Sequence, residues 1–290
     1  MSRLALFALA VVPFPAPVYA PYFETWSGDS LAAAAQLSGA RYFTLAFLES
    51  RSRTSCRVRW DGRDYLAELP LLRSLGGDVI LSFGGWAADQ GGTEIADSCK
   101  SVTALAGAYE DVVTKYEVSR LDMDIEGKSL RNRRGIDRRN KALKLVQQWA
   151  ARQRRPLQIS YTLSTSVFGL TRRAVNVLRN AAANGTRIDV VNLMAFDYYD
   201  GRTSDMGTAA TDAAAAVVLQ LRALRSSAMV GITLMPGLDD APSKREYTTL
   251  AHAQQVYDYA WANGVQTLSI WSIQRDPGWA FSHVLVGFSQ

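Results

Sequence analysis

At 290 residues, with 48% hydrophobic and 20% charged side chains, the chain has an ordinary globular composition, which excludes a collagen-like repeat, extended disorder and a minimal disulfide scaffold. Its longest apolar run, Leu4 to Val12, stops at Pro13, short of the roughly 18 residues that a membrane-spanning helix needs. The formal net charge of +5 comes mainly from arginine and raises the question of an acidic partner such as nucleic acid, while the 2 histidines, His252 and His283, leave little for a histidine-ligated metal or a Ser-His-Asp system. Chemistry in this chain is therefore expected to run on carboxylates, with no metal and no organic cofactor.

Arg3 followed by the apolar stretch Leu4 to Val12 has the layout of a secretory signal, so residues 1–17 read as a signal or N-terminal segment of a secreted protein and residues 18–290 as the folded domain. The small-residue cleavage patterns ending at Ala16 and Ala20 each precede a proline, which leaves the cut site open. Further along, short β-branched or aromatic runs alternate with Ala- and Leu-rich segments of helical period, the pattern of repeated βα units with parallel strands. Strands are expected at Val18 to Phe23, Tyr42 to Leu48, Asp78 to Phe83, Arg120 to Ile125, Gln158 to Leu163, Val190 to Phe196, Met229 to Met235 and Thr267 to Ile273. Helices between them include Ser101 to Tyr116, Arg138 to Arg154, Asp212 to Leu224 and Thr248 to Asn263, several opened by a Ser, Thr or Asp cap. Spacing is even and no linker interrupts it, so the expected fold is one α/β domain, a (β/α)8 TIM barrel whose active site sits at the C-terminal strand ends. A doubly wound nucleotide fold lacks its fingerprint, since Gly76-Gly77 precedes the third strand and Gly84-Gly85 follows it outside a GxGxxG frame.

Cys56 and Cys99 follow the second and third strands and so fall on neighbouring loops. They read as a disulfide if the compartment is oxidising, worth about 4 kcal/mol in the chain-entropy model, or as two buried thiols if it is not. The cluster Arg131, Arg133, Arg134, Arg138 and Arg139 is short and lacks interleaved aromatics, so it reads as a loop running into a solvated helix face rather than a nucleic-acid surface.

The fourth strand, Leu121-Asp122-Met123-Asp124-Ile125-Glu126, carries the chemistry. Strand side chains alternate, so Asp122, Asp124 and Glu126 share one face, displaced by roughly 6 to 7 Å from one to the next, with Glu126 at the rim and Asp122 deepest. Stacked in a low-dielectric barrel they cannot all ionise cheaply, and Glu126 is the one expected to stay protonated near neutrality, as a general acid must. The third strand ends Ser82-Phe83-Gly84-Gly85-Trp86, the sixth Met194-Ala195-Phe196-Asp197-Tyr198, and the eighth reaches Trp271. Together, over nearly the whole chain, this set resembles the family 18 glycoside hydrolases, the chitinase family. Ser82, Gly84 and Gly85 match its S-x-G-G motif, and Asp122, Asp124 and Glu126 match the last acids of D-x-x-D-x-D-x-E. Met194, Asp197 and Tyr198 match the sixth-strand motif, and Trp271 matches the tryptophan under the reactive sugar.

The resemblance implies a retaining, substrate-assisted chitinase, a stated exception to hydrolysis through a protein nucleophile. Glu126 would protonate the glycosidic oxygen while the acetamide of the substrate attacks the anomeric carbon, Asp124 would orient that acetamide, and Asp122 would buffer Asp124 from below. Two positions depart from the pattern. The first acid of the long motif falls on Ser119, so the carboxylate array is expected to begin one layer later. Phe196 stands where many members place a tyrosine that holds the acetamide oxygen, and phenylalanine has no hydrogen to donate, so either Tyr198 or Tyr199 supplies the hydroxyl or turnover is weakened.

Trp26, Trp60, Trp86 and Trp271 fall at or just after strand ends, where flat rings stack on sugars, and Tyr22 ends the first strand; Trp149 and Trp261 lie within helices and read as core. Between Asp240 and the eighth strand there is room for a loop and one helix only, so no α+β insertion walls the cleft and an open groove with endo attack is expected. Two other readings stand beside a monomeric secreted chitinase: an endo-β-N-acetylglucosaminidase acting on an N-glycan core, and a chitin-binding lectin on an impaired hydrolase barrel.

Overall fold

The computed structural model describes residues 12–241 and 245–289. The signal-like stretch lies almost wholly outside the described residues. Eight parallel strands form the barrel: β1 in two pieces, Val18–Tyr19 and Tyr22–Glu24, then β2 (Tyr42–Ser50), β3 (Asp78–Gly84), β4 (Arg120–Ile125), β5 (Gln158–Ser166), β6 (Val190–Met194), β7 (Met229–Leu234) and β8 (Thr267–Ile270). Each pairs in parallel with the strand next in sequence from β2 onward. The two pieces of β1 close the ring, because Val18 and Tyr19 pair with Thr267 and Leu268 of β8 while Tyr22, Phe23 and Glu24 pair with Thr44, Leu45 and Ala46 of β2. Pro21 interrupts the strand where it changes partner; it has no N–H to give to a ladder, so a break costs least there.

Alternation sets the two faces of the sheet. Outward-facing Leu45, Leu81, Leu121, Met123, Ile159, Leu163, Leu193, Ile232 and Leu268 are buried against the surrounding helices in one continuous core. Much of the inward set is polar, with Thr44, Ser82, Asp122, Asp124, Ser160, Thr162, Asn192, Thr233 and Ser269 all buried, alongside apolar Ile80, Val190 and Met194. A barrel filled with hydroxyls and acids is costly to build unless those groups satisfy one another, and it marks the interior as a place for chemistry rather than packing.

The helices start on side-chain caps. Ser101 accepts from Ala104 N–H to open Val102–Tyr116, Asn132 accepts from Gly135 N–H to open Arg133–Arg152, and Thr249 and His252 form a reciprocal capping box at Leu250–Asn263. Each such cap stabilises its helix by about 1 kcal/mol. Cys56 and Cys99 are joined in a disulfide, with 4.5 Å between their Cα atoms. Among the described residues no helix is long and apolar enough to cross a membrane.

Several boundaries differ from expectation. β6 ends at Met194 rather than Phe196, because Asp197 adopts a left-handed backbone (φ 52) that turns the chain out of the sheet. β8 ends at Ile270, short of Ile273. The segment before β8 holds a two-stranded ribbon, Gly237–Leu238 with Tyr247–Thr248, as well as the helix. The arginine cluster divides: the helix starts at Arg133, and Arg139, far from being solvated, is fully buried in a 2.8 Å ion pair with Glu94. Ser119 lies before β4 and shares the parity of the outward-facing Leu121, off the acid face, and Arg120 fills the interior layer beneath Asp122.

Candidate active site

β4 places Asp122 level with Ser82 of β3 and Ser160 of β5, and Asp124 level with Gly84 and Thr162. Four hydroxyls converge on Asp122: Tyr22 Oη at 3.0 Å, Ser82 Oγ at 2.7 Å, Ser160 Oγ at 2.7 Å and Thr162 Oγ1 at 2.9 Å. Ser82 therefore touches the acid column directly as well as preceding the glycine turn. Asp124, one layer higher, is 4% exposed and its Oδ1 has no partner among the described residues. Burial, then the charges of Glu126, Asp122 and Asp89, push its carboxyl well above the usual carboxylate range. An orphaned, proton-holding group of this kind is poised for a partner that arrives with the ligand.

Glu126 follows the end of β4 on the rim, half-buried. Burial first, then the charge of Asp197, push it up to about 7, against a hydrogen bond from the Trp86 backbone N–H that favours the charged form. Its own backbone N–H donates to Asp89, a buried acid on the helix Gly85–Gly91 that follows β3. That helix can begin so close to β4 only because of the two glycines. Gly84 has φ 102 and a Cβ there would sit 2.1 Å from the Asp124 carbonyl oxygen, while one on Gly85 (φ 80) would fall 2.4 Å from the Phe47 ring.

The loop after β6 supplies the opposite wall. Asp197 N–H donates to Asp239 at 2.9 Å, and Tyr198 and Tyr199 N–H donate to the two oxygens of Glu246 at 2.7 and 3.1 Å. Burial, then a hydrogen bond with Asp239, raise Glu246 to about 7, and the two side chains together clamp the loop through its backbone N–H groups. Burial, then Asp239 and Asp240, raise Asp197 to about 6. Met194 is buried inside the barrel, level with Ser164 and Thr233.

The two tyrosines part company. The Tyr198 ring packs with Met206 and Ala209, and its hydroxyl is sealed from solvent without a partner among the described residues. Tyr199 is 63% exposed, and burial followed by Asp197, Asp240 and Glu126 raises its phenol to about 12. Tyr199 is the one that feels Asp197 and Glu126, whereas the acids around Tyr198 are Glu246, Asp239, Asp200 and Asp212.

Trp271 lies over Tyr22 and Phe47, with ring centroids 5.4 Å away in both cases and the Phe47 plane tilted by 19°. Trp26 joins them at 6.2 Å from Trp271 and stacks on Phe47. Trp26 is 44% and Trp86 61% exposed, whereas Trp60 is buried and donates its Nε1–H to Tyr116 Oη at 2.8 Å. Trp60 is thus part of the core beside the disulfide and has no face for a sugar. Phe47 escaped the sequence reading because β2 has a register irregularity between Leu45 and Leu48, which defeats simple alternation. Asp89, Asp239 and Glu246 escaped it because they act on backbone N–H groups brought near only by the fold.

Known proteins resemble the chain in sequence and in fold. The sequence model of glycosyl hydrolases family 18 matches residues 18–272. The chain is 34% identical over 290 residues to a probable bifunctional chitinase/lysozyme of Escherichia coli (strain K12), covering 91% of this chain and 32% of that protein. It is also 34% identical over 283 residues to endochitinase 11 of Metarhizium anisopliae, covering 91% of this chain and 53% of that one. The chain thus spans between about a third and a half of the length of these relatives. Among solved structures, the catalytic domain of the hyperthermophilic chitinase from Pyrococcus furiosus superposes with a TM-score of 0.82 at 31% identity, covering 95% of this chain and 96% of that one.

Proposed function

The chain belongs to glycosyl hydrolases family 18, and from that premise we propose that it hydrolyses β-1,4-linked N-acetylglucosamine polymers with retention, using the substrate's own acetamide as nucleophile. The observation that carries the proposal is the column of acids on β4, in which a rim carboxyl held near neutrality stands above a buried, proton-holding Asp124 with an unpartnered oxygen. A group with a pKa of about 7 is matched to giving a proton to a leaving oxygen and taking one from water afterwards. Protonation of the glycosidic oxygen by Glu126 accompanies attack of the acetamide oxygen on the anomeric carbon. An oxazolinium ion forms and the aglycon leaves as an alcohol. Asp124 accepts from the acetamide N–H through its unpartnered oxygen and so orients the nucleophile, and Tyr199 supplies the hydroxyl that Phe196 lacks. Water activated by the Glu126 carboxylate then opens the ring.

Trp271 on its backing of Tyr22 and Phe47 offers a fixed apolar plane for the reacting sugar. Trp26 and Trp86, both exposed, extend that surface. The short connection before β8 leaves the groove open, which supports endo attack with little processivity; a high ratio of soluble to insoluble reducing ends during chitin digestion would argue against it. The disulfide supports export to an oxidising compartment, which fractionation of the expressing cells would test. A lectin reading requires an inactive acid, and Glu126 is intact and held near neutrality. The proposal is tested by incubating N-acetylglucosamine oligomers with the native chain and with Glu126→Gln: cleavage by the first and a loss of at least a hundredfold in the second are expected, whereas tight binding without cleavage by the native chain would establish the lectin instead.

A further inference from the structure

Beneath the three acids the barrel holds one more charged side chain. Arg120 lies two residues before Asp122 on β4, hence on the same face and roughly 6 to 7 Å lower. It is 2% exposed. Both terminal nitrogens donate to Thr267 Oγ1 of β8 at 3.1 Å, and Nε has no partner among the described residues. The Phe14 ring covers the guanidinium, with its carbon 5.8 Å from the ring centroid. A buried cation in such a setting needs a compensating charge. The charged and titratable groups around it are Asp122 above, Asp189 at the floor ahead of β6, and Tyr22 of β1. A floor cavity of about 200 Å³ adds only the neutral Gln158, Ser227 and Gln266 to its polar surroundings. Asp189 already has a cation of its own, Arg187 Nε at 2.8 Å, and accepts the Ile159 N–H. Asp122 has its hydroxyls and, among the described residues, no other cation.

We propose that Arg120 is a positioning residue that acts through Asp122: its fixed charge balances the deepest acid, so the mobile proton of the column is confined to Asp124 and Glu126, where the chemistry needs it. The inference rests on the hydrolase reading above. Burial lowers Arg120 to about 10, which still leaves it charged at neutral pH. Asp124 is faced by Asp122, Glu126 and Asp89, and Glu126 by Asp197, all of them acids, so Arg120 is the cation that offsets the column from within. Two layers up, roughly 13 Å away, loss of one positive charge at an effective dielectric of about 20 raises Asp124 by roughly one pH unit, and Glu126 at about 20 Å by roughly half of one.

The test uses Arg120→Gln, Arg120→Lys, Asp122→Asn and the double variant Arg120→Gln/Asp122→Asn, with kcat/KM against pH on a soluble chitin oligomer and thermal unfolding as readouts. In Arg120→Gln both limbs of the pH profile move upward by about half to one unit while KM at the optimum changes less than about twofold, and Arg120→Lys restores the native limbs. A merely structural arginine would lower activity at every pH without moving the limbs, and that result overturns the proposal. In unfolding, the double variant regains at least half of the Tm that Arg120→Gln loses; additive losses overturn it. Should Arg120→Gln not fold, a folded double variant supports the charge pairing and an unfolded one refutes it. If the native chain cleaves no oligomer, the hydrolase reading fails, while the unfolding cycle still decides whether Arg120 and Asp122 are charge partners.

Discussion

Replacing Glu126 by glutamine should stop turnover and yet make the protein more stable above neutral pH. A carboxyl raised from 4.5 to about 7 on folding holds its proton more tightly in the native state, so native stability falls as pH rises from about 4.5 through about 7. At about 1.36 kcal/mol per pH unit, the charged form of Glu126 costs the fold up to about 3 kcal/mol at pH 8. Glutamine removes that charge and keeps an oxygen for the Trp86 N–H, so the variant is expected to exceed the native protein by about 1 to 3 kcal/mol at pH 8 and to match it within about 0.5 kcal/mol at pH 4, where both side chains are neutral. Urea unfolding at the two pH values measures the difference. Equal stability at pH 8, or an advantage that persists unchanged at pH 4, would refute the claim that the fold holds Glu126 in a site hostile to its charge.

In the pH profile, kcat/KM should decline above about pH 7 as Glu126 loses the proton it must donate, and a decline beginning only above pH 9 would assign the acid to another group. Replacing Cys56 and Cys99 together by serine should lower stability by about 4 kcal/mol in the chain-entropy model, with denaturant unfolding as the measure and a loss below about 1 kcal/mol as the contrary result. Tyr199→Phe should reduce kcat by tenfold or more, in the range for loss of one charge-stabilising donor, while Tyr198→Phe leaves it within about twofold; the reverse order would return the hydroxyl to Tyr198.

Much of this site was legible because alternation is rigid: once Leu121-Asp122-Met123-Asp124-Ile125 is a strand, its acids share a face and their order in depth follows. The glycines at positions 84 and 85 were legible for a related reason, since a strand ending in two glycines beside an acid column signals close backbone approach. What escaped the sequence depends on contacts between distant segments. Arg139 reads as solvent-facing among its arginine neighbours until Glu94 arrives from another βα unit. Tyr198 and Tyr199 are adjacent and chemically identical, and only the left-handed turns at Asp197 (φ 52) and Tyr199 (φ 54), clamped by Asp239 and Glu246, send one ring to the core and leave the other beside the acids. Arg120 was read as the opening residue of a strand. Its place at the barrel floor follows from the same alternation that ordered the acids, but the absence of a direct carboxylate partner among the described residues could be seen only once Asp189 was found paired with Arg187.

The most direct measurement is proton NMR of the first product released from an N-acetylglucosamine oligomer, taken before the anomers equilibrate. Attack by the neighbouring acetamide followed by water on the opposite face delivers the β anomer, and an initial β signal is the result expected. An initial α signal would mean that water displaces the leaving group in a single step, and neither the acetamide nor the paired roles of Asp124 and Glu126 could then stand.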